Sequence, residues 1–297
     1  MSPPKVHHIS AATMCPFGRR FVEGRGAVFE PAYMVAHCLL VELPAGLLLV
    51  DTGLGRADIA DPGKRLGTLF TLSMGLKRDF YGTAFARIRA LGYKPEDVRD
   101  IVVTHLDLDH AGGLPDFPDA RVHVYDTELR AMEDRLTTNE RLRYRTPHFA
   151  HGPKWVRHEV TGDLWFGFEA VRALPGTDGD VFLVPLIGHT RGHAGVAVRT
   201  GSGWLLHAGD AYFSHFEMQD PPSCPPALAL FQRRIALDDH ERRANQVRLR
   251  ELVRDRASEV TVFSAHCPVE FEKLAAASAA EREAAPAAPI TSGSTTA

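Results

Sequence analysis

The segment from Thr104 to Gly113 constrains this chain more than any other part of its sequence. It reads THLDLDHAGG and directly follows an apolar run at residues 101–103. A short apolar run that stops at a polar cluster predicts a buried strand and the loop after it. The loop ends in a glycine pair that would let the backbone turn sharply. It carries four metal-ligating side chains in six positions, which predict a metal site rather than a charged loop: His105, Asp107, Asp109 and His110.

The composition is that of an ordinary globular protein large enough to bury a substantial core. The chain has 297 residues, 44% of them hydrophobic and 24% charged. Its 34 basic and 37 acidic residues leave a net charge of −3, so nucleic acid is not expected as a partner. The N-terminus lacks an apolar signal core and no run approaches a membrane span, which predicts a cytoplasmic protein without membrane contact. Four scattered cysteines fit reduced thiols.

Apolar runs along the chain predict strands, with helical stretches between them. Residues 38–43 and 47–50 flank Pro44–Gly46 and predict a hairpin. Further strands are predicted at 121–125, 180–187, 194–199, 204–207 and 260–263. Residues 56–93 are expected to form helices that cover one face, and Asp238 with Glu241 predicts the start of another helix. This pattern favours a layered α/β domain over residues 1–275, followed by a disordered tail over 276–297.

Two features leave alternatives open at this stage. Residues 130–158 are rich in arginine, which fits either a solvated insertion or a basic lid that recruits an anionic or polar substrate. Aromatic and methionine side chains at Phe213, Phe216, Met218 and Phe231 fit either an apolar acyl cleft or the packing of a lid. His123 alternates with valines in a predicted strand and is interpreted as a residue that binds no metal.

Three later segments offer the same chemistry where predicted strands end. The loop GHTRGH at residues 188–193 carries His189 and His193. Asp210 follows His207 after another strand, and His266 follows the last one. A layered sheet gathers such side chains at one edge. No glycine-rich nucleotide motif and no Gly-x-Ser-x-Gly motif is present, so neither a nucleotide cofactor nor serine hydrolysis is expected.

Together these segments resemble the metallo-β-lactamase superfamily. In that family a His-x-His-x-Asp-His motif precedes a Gly-His-Thr-x-Gly-His loop, a Gly-Asp pair and a late histidine. The order matches over roughly residues 35–270, and Asp51–Thr52–Gly53 matches an early Asp-Thr-Gly turn of the family. The resemblance implies an αβ/βα sandwich of two facing sheets with outer helices, helical lid insertions and a dinuclear metal site at the sheet edge.

The resemblance also implies which side chains bind the two divalent metal ions. The first ion would be bound by His105, Asp107 and His193. The second would be bound by Asp109, His110 and His266, with Asp210 as a bridge between the two. His189 is expected to support its loop rather than to bind metal. His207 is expected either to orient the site or to be a buried structural residue.

Asp107 departs from the family pattern, which has a second histidine at this position. A carboxylate is a harder ligand than imidazole and shifts the preference from zinc toward manganese or iron without excluding zinc. Three carboxylates in place of two also lower the positive charge of the site. Two interpretations remain: Asp107 binds the first ion directly, or its side chain is too short to reach.

The implied chemistry is hydrolysis by a hydroxide that bridges the two ions. Asp109 would pass a proton to the leaving group, and Tyr212 would either donate a hydrogen bond to the oxyanion or merely pack. The layout is most similar to that of homoserine-lactone hydrolases, which favours a lactone or small ester as the small-molecule substrate. The alternatives are a phosphoester or thioester hydrolase of the same fold, and a catalytically weakened, metal-stabilised ligand-binding protein. An apolar lid face leaves a homodimer open.

Overall fold

Two six-stranded sheets face each other in the computed structural model, which describes residues 3–284. The strands of the first sheet follow chain order: β1 (Lys5–Met14), β2 (Met34–Leu43), β3 (Gly46–Val50), β4 (Val98–Val102), β5 (Arg121–Tyr125) and β6 (Lys154–His158). The second sheet contains β7 (Asp163–Trp165), β8 (Phe168–Ala173), β9 (Val181–Pro185), β10 (Ala194–Thr200), β11 (Gly203–His207) and β12 (Val260–Phe263). Strands β3 to β6 run parallel to one another, and β12 runs parallel to β11.

Twelve α-helices lie within the described residues, most of them short. They are α1 (Arg19–Glu23), α2 (Arg56–Ala60), α3 (Pro62–Arg65), α4 (Thr68–Ser73), α5 (Ala84–Ala90), α6 (Leu108–Ala111), α7 (Asp126–Asp134), α8 (Thr138–Arg143), α9 (Thr146–Phe149), α10 (Pro226–Ile235), α11 (Asp239–Asp255) and α12 (Pro268–Ala284). None of the helices between residues 3 and 284 combines the length and apolar character needed to cross a bilayer. Short 3-10 helices occupy Phe80–Gly82, Pro95–Asp97, Leu114–Asp116 and His215–Met218.

The alternation of side chains along the central strands produces four layers. In β2, Leu39 and Val41 face the second sheet and pack in a cluster with Val196. The intervening Cys38 and Leu40 point the other way, into a cluster that includes residues of α5 and α7. On the far side of the second sheet, residues of β10 and β11 pack against α11. The expected αβ/βα sandwich with outer helices is confirmed.

The fold brings the ends of several strands to one edge. Parallel β3 and β4 end beside each other, and they deliver Asp51 and the segment that begins at Thr104. Parallel β11 and β12 end together in the opposite sheet and deliver Asp210 and His266. The turn between β9 and β10 supplies residues 186–193. Side chains far apart in the sequence therefore meet at this edge.

The predicted domain boundary lies inside a helix. Helix α12 continues from Pro268 to Ala284, so residues 276–284 are not the disordered segment that their composition predicted. Ser278 is buried, and its hydroxyl donates to the carbonyl of Val6 in β1. Alanine-rich sequence has a high intrinsic helix propensity, and here it also has a sheet edge to pack against. The rest of the predicted tail, 285–297, lies outside the described residues.

Candidate metal centre

Six side chains form two groups of potential ligands at the sheet edge. Within each group the ligand atoms all lie within 4.8 Å of one another. The first group consists of His105, His189 and Asp210, and the second of Asp109, His110 and His266.

Asp210 lies between the two groups. Its Oδ2 is 3.8 Å from Nε2 of His105 and 3.3 Å from Nε2 of His189. Its Oδ1 is 3.3 Å from Nε2 of His110 and 3.1 Å from Nε2 of His266. Burial opposes ionisation of this carboxyl, yet the imidazoles around it hold the pKa of Asp210 well below its usual range. Asp210 therefore contacts imidazoles of both groups.

Several Nε2 atoms of the two groups lack good hydrogen-bond partners and are placed as metal ligands would be. Nε2 of His105 is buried and has no hydrogen-bond partner within the described residues. Nε2 of His110 and Nε2 of His266 face each other at 3.3 Å, although each ring already uses its other nitrogen elsewhere. Buried polar atoms rarely stay unpaired, and converging imidazole nitrogens are a typical environment for a divalent cation.

Hydrogen bonds at Nδ1 orient the rings of His105, His110 and His266. His110 Nδ1 lies 2.8 Å from Oδ2 of Asp51, and His266 Nδ1 donates to the carbonyl of Val35 at 2.8 Å. His105 Nδ1 lies 2.9 Å from the Thr104 hydroxyl, which donates to Asp51 at 2.8 Å. These contacts place the proton on Nδ1 and leave Nε2 free for a metal.

Asp51 is therefore an organising residue, and its backbone is unusual. Its φ is 54°, a left-handed conformation that non-glycine residues seldom adopt. Besides His110 and the Thr104 hydroxyl, its carboxylate accepts from the Thr104 backbone N–H at 2.7 Å. The Asp51 carboxylate thus holds the histidine loop in place through three hydrogen bonds.

The glycine pair after the histidines serves close packing rather than a sharp turn. Gly112 and Gly113 have φ values of −60° and −83°, which any residue can adopt. A Cβ on Gly112 would lie 2.5 Å from Oδ2 of Asp58, and one on Gly113 would lie 2.7 Å from the Thr52 carbonyl. These distances are too short for a side chain, so the pair is needed for the approach of the two loops.

In the structure His189, and not His193, falls within the first group of potential ligands. His193 Nδ1 donates to the Leu186 carbonyl at 2.8 Å, and its Nε2 accepts from the backbone N–H of Asp210 at 2.9 Å. Both ring nitrogens of His193 are thereby occupied, so this side chain positions Asp210 and is not grouped with the ligands. His189 Nε2 instead points at the centre, and burial lowers the pKa of His189 to about 4, which keeps the ring neutral.

Asp107 lies at the rim of the first group and is paired with a buried arginine. Its Oδ2 is 3.1 Å from Nε2 of His189 and 3.5 Å from Nε2 of His105, while its Oδ1 is 3.3 Å from Nη1 of Arg143. Arg143 also donates to the carbonyls of His189 and Ile235. Burial opposes ionisation, but Arg143 and His105 hold the pKa of the Asp107 carboxyl well below its usual range. The guanidinium offsets the extra negative charge that the sequence places here.

A buried carboxylate on α7 links two of the ligand loops. Glu128 accepts from the backbone N–H of Leu106 at 3.0 Å and from that of Gly192 at 3.1 Å. The hydroxyl of Tyr144 donates to the same carboxylate at 3.1 Å. Sequence inspection missed Glu128 and Arg143, because nothing local distinguishes them from solvated charges on helices.

Tyr212 lies away from the centre, contrary to one of the two sequence-based interpretations. Its side chain is fully buried, and its hydroxyl donates to Oε1 of Glu270 at 2.8 Å. A hydroxyl committed to that carboxylate is not available to an oxyanion in the cleft. The next residue, Phe213, stacks on the His266 ring with centroids 5.0 Å apart.

His207, His123 and Cys267 are buried and have contacts within the fold. His207 Nε2 donates to the carbonyl of His37 at 2.6 Å, and its Nδ1 accepts from the N–H of Gly209. His123 is buried, and its ring nitrogens lie 3.0 Å from Nε2 of His158 and 2.9 Å from Oδ1 of Asp100. Burial raises the pKa of the Cys267 thiol to about 12, consistent with an inert cysteine.

A cleft of about 370 Å³ opens directly onto the ligand groups. Asp109, Asp210 and His266 line its floor. Its walls are mostly apolar and come from α4, α8, α10 and neighbouring residues, among them Leu69, Phe70, Leu142, Phe213 and Phe231. Phe216 lies in a separate cavity and Met218 packs near α11, so two of the four candidate side chains line the cleft. The geometry combines a polar, metal-competent floor with an apolar lid.

Comparisons with known proteins find similar sequences over most of the chain. The model of the metallo-beta-lactamase superfamily matches residues 34–266. A probable metallo-hydrolase of Mycobacterium tuberculosis is 38% identical over 273 residues, which cover 90% of this chain and 81% of the relative. An N-acyl homoserine lactonase of Azorhizobium caulinodans is 32% identical over 229 residues, 73% of this chain and 76% of the relative.

A solved structure extends the similarity to the fold. It shows an N-acyl homoserine lactone hydrolase with N-hexanoyl-L-homoserine bound at its catalytic metal centre. The alignment has a TM-score of 0.65 at 23% identity and covers 92% of this chain and 97% of that one. At this level of identity the two proteins share an architecture.

Proposed function

Because the chain belongs to the metallo-β-lactamase superfamily, we propose that it is a metal-dependent hydrolase that cleaves a lactone or small ester. One observation carries the proposal: two ligand groups meet at Asp210 on the floor of an apolar cleft. The lactonase from Azorhizobium caulinodans, similar over 73% of this chain, supports the choice of a lactone or ester.

The two groups define the ligand sets that we propose. His105, His189 and Asp210 would bind one divalent ion, and Asp109, His110, His266 and Asp210 the other. When bound, such ions lower the pKa of a water molecule and polarise a carbonyl oxygen. Because Asp107 is paired with Arg143, the first set has two imidazoles and one carboxylate, while the second has two imidazoles and two carboxylates. Two imidazoles in each set suit zinc, and we expect zinc ahead of manganese or iron.

The chain's own residues would supply the proton transfer and the binding of the acyl group. Asp109 faces the cleft, with its Oδ2 3.6 Å from Nε2 of His266. It would take the proton of the attacking water and pass it to the leaving oxygen as the carbonyl–oxygen bond breaks. Phe213 and the apolar lid would exclude bulk water and bind the hydrocarbon part of the substrate.

Metal analysis combined with a hydrolysis panel tests the proposal. We expect about two zinc ions per chain by elemental analysis and turnover of lactones or carboxylic esters. Phosphodiester and thioester substrates belong in the same panel, because preferred turnover of either would replace the proposed substrate class. Stable metal binding without turnover of any of them would instead indicate a metal-stabilised binding protein.

Paired variants test the ligand assignment. His189→Ala should lose one of the two ions, because its Nε2 is a member of the first group. His193→Asn retains a donor for the Leu186 carbonyl and should keep both ions, although with weaker binding. The reverse result, with the ion lost only from His193→Asn, would restore the ligand set implied by the sequence pattern.

A further inference from the structure

Arg145 differs from the other basic side chains of the arginine-rich segment. The other arginines and the lysine of residues 130–158 all have hydrogen-bond or ion-pair partners: Arg130, Arg135, Arg141, Arg143, Lys154 and Arg157. Arg145 uses its Nε to donate to the carbonyl of Arg65 at 3.0 Å. Its two terminal nitrogens have neither a hydrogen-bond acceptor nor a carboxylate partner within residues 3–284.

These free nitrogens lie at the wall of the substrate cleft. Arg145 and Gly67 both line it, and a Cβ at Gly67 would be 3.9 Å from Nη1 and from Nη2 of Arg145. A side chain at Gly67 would begin in van der Waals contact with the guanidinium, and the glycine leaves that space open. Around it the wall consists mainly of apolar residues such as Leu66, Leu69 and Leu142.

Charge is distributed unevenly along this cleft. The carboxylates that line it, Asp107, Asp109 and Asp210, all belong to the floor, where the metal ligands and Arg143 surround them. On the lid side, Arg145 is a charged side chain that has no ion-pair partner among the described residues. A half-buried cation in apolar surroundings interacts strongly with an anion, because few water molecules compete for it.

We propose that Arg145 binds an anionic group at the lid end of the substrate, so that the preferred substrate is a lactone or ester whose acyl portion ends in a carboxylate. The ester would lie at the floor, a hydrocarbon stretch along the apolar wall, and the carboxylate against the guanidinium. A single arginine without a second cation suits a monoanion better than a phosphate dianion, and its planar fork matches a carboxylate. This inference rests on the proposed hydrolase function.

The test compares two esters that differ in one group. The para-nitrophenyl ester of hexanoic acid and the mono-para-nitrophenyl ester of hexanedioic acid share a leaving group and a chain length. In the zinc-loaded protein we expect the carboxylated ester to have the lower KM. Arg145→Gln should raise the KM of that ester roughly 10- to 100-fold, with kcat little changed, and leave the neutral ester nearly unaffected.

Two further variants control for indirect effects. Arg145→Lys should restore part of the difference, because lysine keeps the charge but loses the planar fork. Arg141→Gln removes a neighbouring exposed arginine that bonds to the Leu136 carbonyl, and it should change neither KM. Equal losses for both esters in Arg145→Gln, or a preference of the unmodified protein for the neutral ester, would overturn the inference.

An equilibrium measurement separates this inference from the proposed function. Calorimetric titration with N-methylhexanamide and with the N-methyl monoamide of hexanedioic acid requires no turnover. If neither ester is hydrolysed but the carboxylated amide binds more tightly through Arg145, the proposed function fails and the anion site stands. If both esters are hydrolysed and Arg145→Gln alters neither charge preference nor amide binding, the anion site fails and the function stands.

Discussion

The floor and the lid of the cleft are built in different ways. On the floor, ligand side chains are almost completely buried, with exposed fractions of 0% for His105, 0% for His189 and 3% for Asp210. Short lid helices instead leave large apolar side chains in solvent, including Leu69 at 83% and Leu142 at 64% exposure.

This difference separates chemistry from substrate selection. The floor is held by hydrogen bonds that Asp51, Glu128 and backbone carbonyls accept, so a change there disturbs several candidate ligands together. The exposed leucines of the lid have no polar groups on their side chains to make such contacts, so they can change with little effect on the floor. Substitutions in the two regions should therefore have effects of different kind and size.

Removal of the shared ligand is the most severe test of the floor. Asp210→Asn replaces a carboxylate that lies between both groups with a neutral amide. We expect loss of bound metal and a fall in kcat/KM of more than about 100-fold, the upper range for residues that merely orient ligands. Asp180→Asn, which alters an ion pair with Arg199 in the second sheet, should keep both metal and activity. Full metal content in Asp210→Asn would show that the groups do not share this residue.

A pH-dependent stability is expected from Glu270, which supports the floor behind Tyr212. Burial raises the pKa of Glu270 to about 7, although Ser264 N–H and the Tyr212 hydroxyl oppose the rise. The folded protein therefore keeps a proton that the unfolded chain, at the ordinary value of 4.5, has lost. The free energy of unfolding should fall as the pH rises between these two values, by up to roughly 3 kcal/mol.

Denaturant titrations of the metal-saturated protein at about pH 5 and about pH 8 measure this effect. Glu270→Gln should lose the part of the pH dependence that Glu270 contributes. Glu272→Gln, an exposed change on the same helix, should retain it. If the free energy of unfolding depends on pH in the same way in the unmodified protein and in Glu270→Gln, the pKa of Glu270 is not raised.

Glu128 links the loop at residues 104–110 to the loop at 188–193, and a weaker link should lower stability and metal affinity by a smaller amount. Glu128→Gln leaves one carbonyl oxygen for two backbone N–H groups, those of Leu106 and Gly192. We expect a loss of about 1–3 kcal/mol in stability and of about 10- to 100-fold in metal affinity. Glu133→Gln, on the exposed side of the same helix, serves as the control for chemical denaturation and metal titration. If both variants behave alike, Glu128 does not hold the loops.

Lid substitutions should show the smallest changes in stability. Leu69→Ser and Leu142→Ser remove exposed apolar side chains that line the cleft, so stability should shift by no more than about 0.5 kcal/mol. KM for longer acyl esters should rise by about 3- to 10-fold, because buried hydrocarbon contacts are lost. Leu72→Ser, equally exposed but outside the cleft, should leave KM unchanged. Large destabilisation by either cleft variant would contradict the contrast between the regions.

The sequence predicted what short-range patterns encode. The central strands and the polar segments that follow them could be recognised from apolar runs and from clustered His and Asp residues. Strand β1 was missed because its histidines break the apolar pattern, although His7 is buried in the structure and bonds to Glu42. Helix α12 past residue 275 was missed because its alanine-rich sequence also fits a disordered tail.

Which side chains face the candidate metal centre depends on contacts between residues that are distant in the sequence. His189 and His193 lie in one six-residue loop, and their roles follow from the partners of His193, the Leu186 carbonyl and the Asp210 N–H. The role of Tyr212 depends on Glu270, 58 positions away. No local pattern reports such partners, so sequence order alone could not assign these residues.

Arg143 connects the two regions at one point. It is the last residue of α8 in the lid, yet its guanidinium contacts Asp107 and the backbone of His189 beside the candidate metal centre. A displacement of α8 would pull on these contacts and shift the charge next to His189. An exchange of other α8 side chains should therefore leave the floor intact only if the spacing from the N-cap Thr137 to this guanidinium is preserved.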